Sequence, residues 1–387
     1  MTNVIINPGK EYAPESRMWQ GVPSIEMTGK RLWAGWFTGG KYEPSIENYC
    51  VAAYSDDDGC TWKDPYMAVV AKEGAGYRTY DNQMWKDNLG RLWMFWGEDI
   101  YKETAEASDF DTPFDSLGLS YFGHLEQWSV VCENPEDEIP VWSEPRLMWT
   151  GFSRNNPLVL SDGRWIVSVY DMTEGESGLV FDTKFAISDD NGKSFREVKG
   201  PVESSNAFCE PMTVELKDGT LWCLIRTMSG YLDESFSYDR GETWSEVRQT
   251  KIPNPSTRFY IGRADNDMLL LVNTPSATLG DRKSLVASLS EDEGKTWKYN
   301  LKIDDRRSTT YPDVAFGEDG FMYIIYDVQR DNRQEPDKDD PFISHAEKEV
   351  CFAKIKMEDI LAGELVTEGS RLQNIISKVY YNSRKPR

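Results

Sequence analysis

Six short polar segments carry the side chains that could do chemistry, and each stands just ahead of an apolar run. They are Gln20-Gly21-Val22-Pro23, Arg78-Thr79-Tyr80-Asp81, Asn155-Asn156-Pro157, Glu210-Pro211, Thr257-Arg258 and Tyr311-Pro312-Asp313. Guanidinium groups bind carboxylates through paired hydrogen bonds, and carboxyl groups can move protons. A pocket that joined these groups with the hydroxyls and amides of the same segments would suit a small hydroxylated ligand, neutral or anionic.

The apolar runs that follow these segments share a pattern that predicts β-hairpins. Each begins with a polar turn and continues as large apolar residues, at Gly29–Trp36, Leu89–Trp96, Asp162–Val169, Asp218–Ile225, Asn266–Val272 and Asp319–Tyr326. Their spacing of roughly 50 to 70 residues is typical of one four-stranded sheet per repeat. We therefore predict an all-β, six-bladed β-propeller whose innermost strands bring the polar segments to one end of the central axis.

A second repeat, eight residues long, predicts turns between strands. Its four copies are Ser55–Trp62, Ser188–Phe195, Ser237–Trp244 and Ser290–Trp297. In each copy an Asp two residues after the Ser can accept backbone hydrogen bonds, and a Gly permits positive φ. A degenerate fifth copy is expected just before Trp142, with the acidic residues 133–138 inserted as a loop.

This eight-residue pattern resembles the Asp-box, or BNR repeat, of the sialidase (neuraminidase)-like superfamily. The resemblance implies one propeller domain over residues 1–387 and assigns the boxes a structural role. Two polar stretches depart from the repeat, near residues 98–117 and 327–347. They are expected to be long loops, which on a rigid scaffold often carry binding sites.

The resemblance extends to individual residues of the exo-alpha-sialidases. The segment from Glu210 to Arg226 is similar to the stretch between the Glu that pairs with the nucleophilic Tyr and the second of three carboxylate-binding arginines. Arg282, twelve residues before Gly294, stands where the family has its third arginine, and Tyr311 matches the nucleophile. The resemblance thus implies that Arg226 and Arg282 hold a carboxylate while Glu210 activates Tyr311. A base is needed there because a phenol, with its ordinary pKa of about 10, is a poor nucleophile.

One family arginine is missing from the first repeat. In sialidases it directly precedes an Ile-Pro pair, but here Gly21 precedes Val22-Pro23. Arg17, four residues upstream, is a candidate to complete the set of arginines. Arg78 and Arg258 are further pocket cations if their side chains point inward.

The acid/base Asp of the family is also missing from its expected place near Phe37-Thr38. Three carboxyl groups could replace it as the proton donor. Glu43 and Glu47 follow in the next loop, and Asp81 lies in the second polar segment. Sequence alone leaves the choice among them open.

The net charge of the chain makes some classes of ligand improbable as partners. The chain has 43 basic and 65 acidic residues, for a net charge of −22. Nucleic acids and anionic membranes demand a basic surface, so neither is an expected partner. An anionic ligand must therefore meet a local cationic pocket. With two histidines and no metal-like spacing of cysteines, neither a metal site nor a cofactor is expected.

The first residues lack the basic-then-apolar layout of a signal peptide, and no run of 18 apolar residues occurs. A cytoplasmic protein is therefore expected, or a secreted or periplasmic one if a signal has been removed. The predicted function is a sialidase-type glycoside hydrolase that releases a terminal acidic sugar from a carbohydrate with retention of configuration. Two alternatives remain open: action on a uronic-acid or rhamnose-containing glycan by hydrolysis or elimination, and glycan binding without cleavage.

Overall fold

The computed structural model describes residues 2–40, 43–72, 76–100, 123–175, 178–204, 209–264, 267–330 and 347–380. These residues form six antiparallel sheets, each built on four strands that follow one another in the chain. The sheets are the blades of a six-bladed β-propeller, which confirms the predicted fold class. No helix among the described residues is both long enough and apolar enough to cross a membrane.

The strands are numbered in chain order. Blade 1 has an additional outer strand, β1 (Asn3–Ile6), which precedes its four regular strands. These are β2 (Gln20–Thr28), β3 (Arg31–Thr38), β4 (Tyr49–Ser55) and β5 (Lys63–Val70), and β2 is counted as the first strand of this blade. Blade 2 contains β6 (Tyr77–Lys86), β7 (Leu92–Ile100), β8 (Gly123–Cys132) and β9 (Arg146–Thr150). Blade 3 contains β10 (Leu158–Val159), β11 (Trp165–Gly175), β12 (Gly178–Ser188) and β13 (Arg196–Ser204).

The second half of the chain repeats this plan. Blade 4 contains β14 (Met212–Glu215), β15 (Leu221–Ile225), β16 (Tyr231–Ser237) and β17 (Arg248–Pro253). Blade 5 contains β18 (Tyr260–Arg263), β19 (Leu269–Asn273), β20 (Lys283–Ser290) and β21 (Tyr299–Arg307). Blade 6 contains β22 (Thr309–Phe316), β23 (Met322–Val328), β24 (Glu347–Ile355) and β25 (Arg371–Tyr380), with helix α1 (Met357–Ala362) between the last two strands.

The predicted hairpins join the first and second strands of every blade. First strands also contact one another across blades: β2 touches β6 and β22, and β18 touches β14 and β22. The polar segments are therefore gathered around the propeller axis. In blades 1, 2 and 6 they belong to the innermost strand itself rather than to the chain ahead of it.

The Asp-boxes connect the third and fourth strands of blades 1, 3, 4 and 5. In the last copy, Gly294 N donates to Ser290 Oγ at 2.9 Å, and both the amide and the hydroxyl of Thr296 donate to Asp292, at 2.8 and 2.7 Å. These hydrogen bonds, above all that from the Thr296 hydroxyl, lower the pKa of Asp292 to about 2. The Asp292 carboxylate accepts its hydrogen bonds within the turn itself, as expected of a residue with a structural role.

In blades 1 and 5 the Asp-box glycine also packs closely against a neighbouring blade. A Cβ added to Gly294 would lie 2.2 Å from the Trp222 ring of blade 4, and one added to Gly59 would lie 2.5 Å from the Phe352 ring of blade 6. Such a close approach excludes any side chain at these glycines. Aromatic rings such as Trp222 and Phe352 thus form part of the packing between blades.

Blade 2 has the predicted degenerate turn. Residues 133–145 connect β8 to β9, and Trp142 forms an isolated bridge to Cys132. The Trp142 ring lies 5.9 Å from that of Trp33 in blade 1. The ring that ends an Asp-box is therefore retained here as an interblade contact, although the acidic insertion has removed the box itself.

Two expectations about chain segments are corrected at their edges. Glu98–Ile100 end β7 and Asp327–Val328 end β23, so neither predicted loop begins where the polar composition begins. Strand pairing continues through these polar residues, with Glu98 opposite Thr79 and Asp327 opposite Thr310. Residues 101–117 and 331–346 of the predicted loops lie outside the described residues. The N-terminal strand does not close blade 6, because β1 pairs with β5 at the outer edge of blade 1.

Replacing Gly294 by Ala tests the interblade role of the box. Gly294 has a φ of 81° and Gly219 has a φ of 85°, but a Cβ on Gly219 would meet nothing within 4 Å. We expect Gly219→Ala to lower the free energy of unfolding by about 1 kcal/mol through backbone strain alone. Gly294→Ala should cost about 2 to 4 kcal/mol, because overpacking against Trp222 adds to the strain. Equal losses in denaturant titrations of the two variants would contradict this account.

Candidate functional site

Four residues near the starts of inner strands have unusual backbone conformations. Val22, Asp81, Glu210 and Tyr311 have positive φ angles of 55°, 46°, 35° and 55°. The strand register shifts at three of them, in β2, β6 and β22. Bulges re-aim side chains, and strained non-glycine residues collect at functional sites. Three of the four were singled out as chemical groups from the sequence.

Arg154 joins the chemical groups of three other blades. This residue lies on the segment that leads into β10 of blade 3. Its Nε is 2.6 Å from Asp81 Oδ2, and its Nη1 is 2.5 Å from Glu210 Oε1. The same Nη1 donates to the phenol oxygen of Tyr311 at 3.4 Å. We call Arg154, Asp81, Glu210, Tyr311 and Arg226 the axial cluster.

Arg226 completes the axial cluster from blade 4. Its Nη1 is 2.9 Å from Glu210 Oε1 and donates to Tyr311 Oη at 3.2 Å. Glu210 and Tyr311 therefore share two guanidinium donors, and these two described residues make no direct hydrogen bond to each other. Glu210 Oε2 has no hydrogen-bond partner among the described residues.

The two carboxyl groups of the axial cluster have different electrostatic surroundings. Burial works against ionisation of Glu210, but the charges of Arg226 and Arg154 outweigh it and lower the pKa of Glu210. Burial dominates at Asp81, where the nearby charge of Glu210 adds to it, and the pKa of Asp81 is raised despite Arg154. Glu210 is thus held as a carboxylate, whereas Asp81 keeps its proton to a higher pH than an ordinary Asp.

Arg258 is the most enclosed cation around the site. The residue is 1% exposed, and its Nε donates to Asn155 Oδ1 at 3.0 Å. Asn155 in turn donates to the carbonyl oxygen of Pro211 at 2.7 Å. Neither Nη1 nor Nη2 of Arg258 has a hydrogen-bond partner among the described residues. A buried guanidinium with two unpaired nitrogen atoms is a ready site for an anion.

Ser256 links two further arginines that the sequence singled out. Its hydroxyl accepts from Arg226 Nε at 3.3 Å, and its carbonyl oxygen accepts from Arg282 Nη2 at 3.0 Å. Arg282 is half-buried, and its charge acts on the buried Asp327. The structure therefore brings Arg226, Arg258 and Arg282 together around one loop of blade 5.

Arg330 and Glu43 enter the same region from blades 6 and 1. The Arg330 guanidinium carbon lies 4.2 Å from the centre of the Tyr311 ring, and Arg330 forms an ion pair with Glu43. Its Nε is 3.3 Å from Asp327 Oδ2. Burial raises the pKa of Asp327 to about 7, against hydrogen bonds from Thr310 and the Val22 amide. Of the two loop glutamates considered as proton donors, Glu43 thus reaches the site.

Three predicted site residues lie in other surroundings. Arg17 pairs with Asp64 at 2.8 Å and donates to the carbonyl oxygen of Tyr12. Arg78 forms two parallel 2.8 Å hydrogen bonds with Asp99. Both guanidinium groups are buried in these pairs, which fits a structural role. The third, Glu47, is exposed on the loop before β4.

Sequence reasoning missed two arginines of the site. Arg154 directly precedes the polar segment Asn155-Asn156-Pro157, and its position beside that segment was the available signal. Arg330 stands at the start of the stretch that was predicted to be a long loop, where its charge resembled ordinary surface polarity. Position in the chain could not reveal that either side chain turns toward the axis.

The arrangement combines buried guanidinium groups that could bind an anion with the Tyr311 phenol, which accepts hydrogen bonds from two of them. It also contains two carboxyl groups, Glu210 with a lowered pKa and Asp81 with a raised pKa. These are the parts needed for nucleophilic substitution with proton transfer to a leaving group. No group of three or more His, Cys, Asp and Glu residues in the described ranges is arranged to hold a metal ion.

Comparison with known proteins places this geometry in a family. Residues 30–324 match the model of the BNR repeat-like domain. The chain is 27% identical over 182 residues to the anhydrosialidase of Macrobdella decora, in an alignment that covers 43% of this chain and 23% of that protein. The match therefore spans less than a quarter of this curated relative.

Solved structures share the fold over most of the chain. The leech intramolecular trans-sialidase, in a complex with 2,7-anhydro-Neu5Ac, superimposes with a TM-score of 0.63 at 16% identity, covering 93% of this chain and 70% of that one. The intramolecular trans-sialidase from Ruminococcus gnavus gives a TM-score of 0.60 at 16% identity, with coverages of 84% and 92%. At this identity the likeness shows a common propeller.

The raised pKa of Asp327 leads us to predict that the stability of the fold depends on pH. Its pKa of about 7 lies above the value of about 3.9 of an unfolded Asp. Between these values the folded chain keeps a proton that the unfolded chain releases, so this group lowers stability as pH rises from about 4 to about 7. Asp327→Asn should gain stability relative to the natural protein over that interval, by at most about 4 kcal/mol. Denaturant titrations at several pH values measure this difference.

The matched control is Asp305→Asn, which changes an exposed carboxyl group on β21. It should leave the slope of stability against pH unchanged. A parallel pH dependence for Asp327→Asn and the natural protein would show that Asp327 does not titrate in this interval.

Proposed function

The chain belongs to the BNR repeat-like domain family, and we propose that it is a sialidase-type glycoside hydrolase that removes a terminal acidic sugar. The observation that carries the proposal is the pair of guanidinium groups, from Arg154 and Arg226, that converge on both Glu210 and the phenol of Tyr311. A phenol in this setting is suited to nucleophilic attack, because both guanidinium groups stabilise negative charge that develops on its oxygen.

Tyr311 acts as the nucleophile in this proposal. Its oxygen forms a bond to the anomeric carbon while the glycosidic bond breaks, and the phenol proton passes to Glu210. Glu210 Oε2 has no hydrogen-bond partner among the described residues, so it is available as the acceptor. Sialidases are the known exception to glycosidases with two carboxylates, because they use a Tyr nucleophile.

Asp81 supplies the proton for the leaving oxygen. Its raised pKa keeps the carboxyl group protonated to a higher pH than an ordinary Asp, and Asp81 Oδ2 lies 2.6 Å from Arg154 Nε, whereas Glu210 contacts Nη1 of the same guanidinium group. After the first displacement the same group, now ionised, takes a proton from water, which attacks the anomeric carbon of the covalent intermediate. The bond to Tyr311 breaks, and the Tyr311 oxygen takes back its proton from Glu210. Two displacements at one carbon retain its configuration.

The cations of the site support an acidic sugar as the substrate. Arg258 and Arg282 add two positive charges beside the axial cluster, in a chain whose net charge is −22. Nη1 and Nη2 of Arg258 have no hydrogen-bond partner among the described residues, and guanidinium nitrogens of this kind favour a carboxylate ligand. The names of the similar proteins, an anhydrosialidase and two intramolecular trans-sialidases, support sialic acid as the first substrate to test.

Removal of the nucleophile gives the first functional prediction. Tyr311→Phe and Glu210→Gln should each reduce kcat on aryl sialosides or aryl uronides by at least about 10³-fold, as expected for residues that act as a unit. Tyr238→Phe, in an exposed Asp-box turn, is the matched control and should keep full activity. Undiminished turnover by Tyr311→Phe would contradict the role of Tyr311 as the nucleophile. An unsaturated product with ultraviolet absorbance would show that the reaction is elimination instead of hydrolysis.

The role of Asp81 predicts a dependence on the leaving group. Asp81→Asn should lose about 10²- to 10⁴-fold in kcat on substrates with alkyl leaving groups, which need protonation. It should lose much less on a nitrophenyl glycoside, whose leaving group departs without a proton. Because an acid works only while protonated, activity of the natural enzyme should fall as pH rises through the raised pKa of Asp81, and the Asn variant should lack this decline.

Asp233→Asn provides the control for this experiment, because burial raises the pKa of Asp233 as well, on β16 outside the axial cluster. This variant should keep both the alkaline decline and the activity on both substrates. Equal losses by Asp81→Asn on alkyl and nitrophenyl substrates would exclude Asp81 as the proton donor.

A further inference from the structure

Gly21 on the innermost strand of blade 1 leaves a space that a residue of blade 6 fills. A Cβ built on Gly21 would lie 2.1 Å from Cδ and 2.7 Å from Cγ of Arg330. Any side chain at position 21 would therefore collide with the Arg330 stem. Gly21 is needed here for close approach and not for backbone conformation, since its φ is not positive.

Arg330 is fixed firmly in that space. The indole nitrogen of Trp19 donates to its carbonyl oxygen at 3.0 Å, and its Nε lies 3.3 Å from Asp327 Oδ2. The residue is 6% exposed, and its guanidinium carbon stands 4.2 Å from the centre of the Tyr311 ring. A cation over an aromatic face gains electrostatic energy when both are shielded from water. Arg330 is thus positioned directly against the proposed nucleophile.

Glu43 is the second counter-ion of Arg330. It pairs with Nη1 from the loop between β3 and β4, and its side chain is 28% exposed. The Asp327 side chain, by contrast, is fully buried. A partly exposed ion pair is worth less than a fully enclosed one with ideal geometry, so Glu43 is the partner that gives way at lower cost.

We propose that Arg330 is a ligand-binding cation of this site, delivered from blade 6 into the space that Gly21 leaves on blade 1. The Glu43 carboxylate holds its guanidinium group, and the carboxylate of an acidic sugar displaces Glu43 on binding. The proposal rests on the proposed function for the class of ligand, a carboxylated sugar. It adds a specificity residue and an internal competitor to that function.

The chemistry of Arg330 favours a carboxylate ligand. A guanidinium fork binds carboxylates through paired, charge-assisted hydrogen bonds, and the Glu43 contact shows that a carboxylate can reach Nη1. A ligand carboxylate there would lie beside the Tyr311 ring. In sialic acid the carboxylate is borne by the anomeric carbon itself, so a sialic acid bound in this way would present that carbon near the phenol oxygen, as an attack by Tyr311 requires.

Calorimetry with N-acetylneuraminic acid tests the proposal without any need for turnover. Arg330→Gln should weaken binding of the acid by about 10- to 100-fold, the usual effect of losing a charge-assisted hydrogen bond in a shielded site. Binding of the neutral methyl ester of the same sugar should change little. Glu43→Gln should strengthen binding of the acid several-fold, because the internal competitor loses its charge. If Glu43 were instead the proton donor, its variant would bind normally and lose turnover.

The substitution Gly21→Ala tests the contact between Gly21 and the Arg330 side chain by changing the glycine instead of the arginine. It should weaken binding of the acid as Arg330→Gln does, because the new Cβ displaces the Arg330 stem. In an Arg330→Ala background, Gly21→Ala should have a much smaller further effect, since the atoms it meets at 2.1 and 2.7 Å are then gone and Asp327 Oδ2, at 3.1 Å, is the close neighbour that remains. Gly163→Ala, where a Cβ meets nothing within 4 Å, is the control for added volume, and thermal melts verify folding of every variant.

Unchanged affinity of Arg330→Gln for the acid would overturn the proposal, as would equal losses for the acid and the ester. Additive effects of Gly21→Ala and Arg330→Ala would also overturn it. Failure of the natural protein to bind N-acetylneuraminic acid or D-glucuronic acid counts against it equally. The proposed hydrolase function is separable, because hydrolysis of an aryl glycoside that depends on Tyr311 can persist when Arg330→Gln has no effect on binding.

Discussion

The site depends on burying the Arg154 guanidinium at the propeller axis. A charge removed from water is stable only with close partners, and Arg154 finds them in Asp81 of blade 2, Glu210 of blade 4 and the Tyr311 phenol of blade 6. One side chain thereby fixes groups from three other blades at hydrogen-bonding distance. The two carboxyl groups differ because the charges of Arg226 and Arg154 outweigh burial at Glu210 and lower its pKa, whereas burial outweighs Arg154 at Asp81 and raises its pKa.

The scaffold that supports this cluster is stabilised elsewhere. Asp-box turns close the outer halves of the blades through local hydrogen bonds, and glycines such as Gly294 let one blade lie against the aromatic side chains of the next. Because these contacts are remote from the inner strands, axial residues can change without loss of the fold. Gly21, which stands where sialidases have an arginine, is an example of such a change. The side chain of Arg330, from blade 6, occupies the space beside it.

Sequence reasoning succeeds here where structure is local and fails where it depends on distant partners. The Asp-boxes and hairpins predict six blades because each turn is specified by a few adjacent residues. Glu210, Arg226 and Tyr311 follow from the resemblance of their segments to sialidase sequences, and each stands beside one of those hairpins. Arg17 and Arg78 resemble pocket cations in the sequence, but they pair with Asp64 and Asp99, which lie 47 and 21 residues away. Arg154 and Arg330 reach the axis only through contacts between blades, which no spacing along the chain encodes.

A crystal structure of the protein with N-acetylneuraminic acid would test the central claim most directly. The account predicts that the sugar carboxylate lies about 2.7 to 2.9 Å from guanidinium nitrogens of Arg258 or Arg330, with Glu43 displaced and the anomeric carbon facing Tyr311 Oη. A sugar bound elsewhere on the propeller, or bound at the axis with its carboxylate turned away from these arginines, would contradict it.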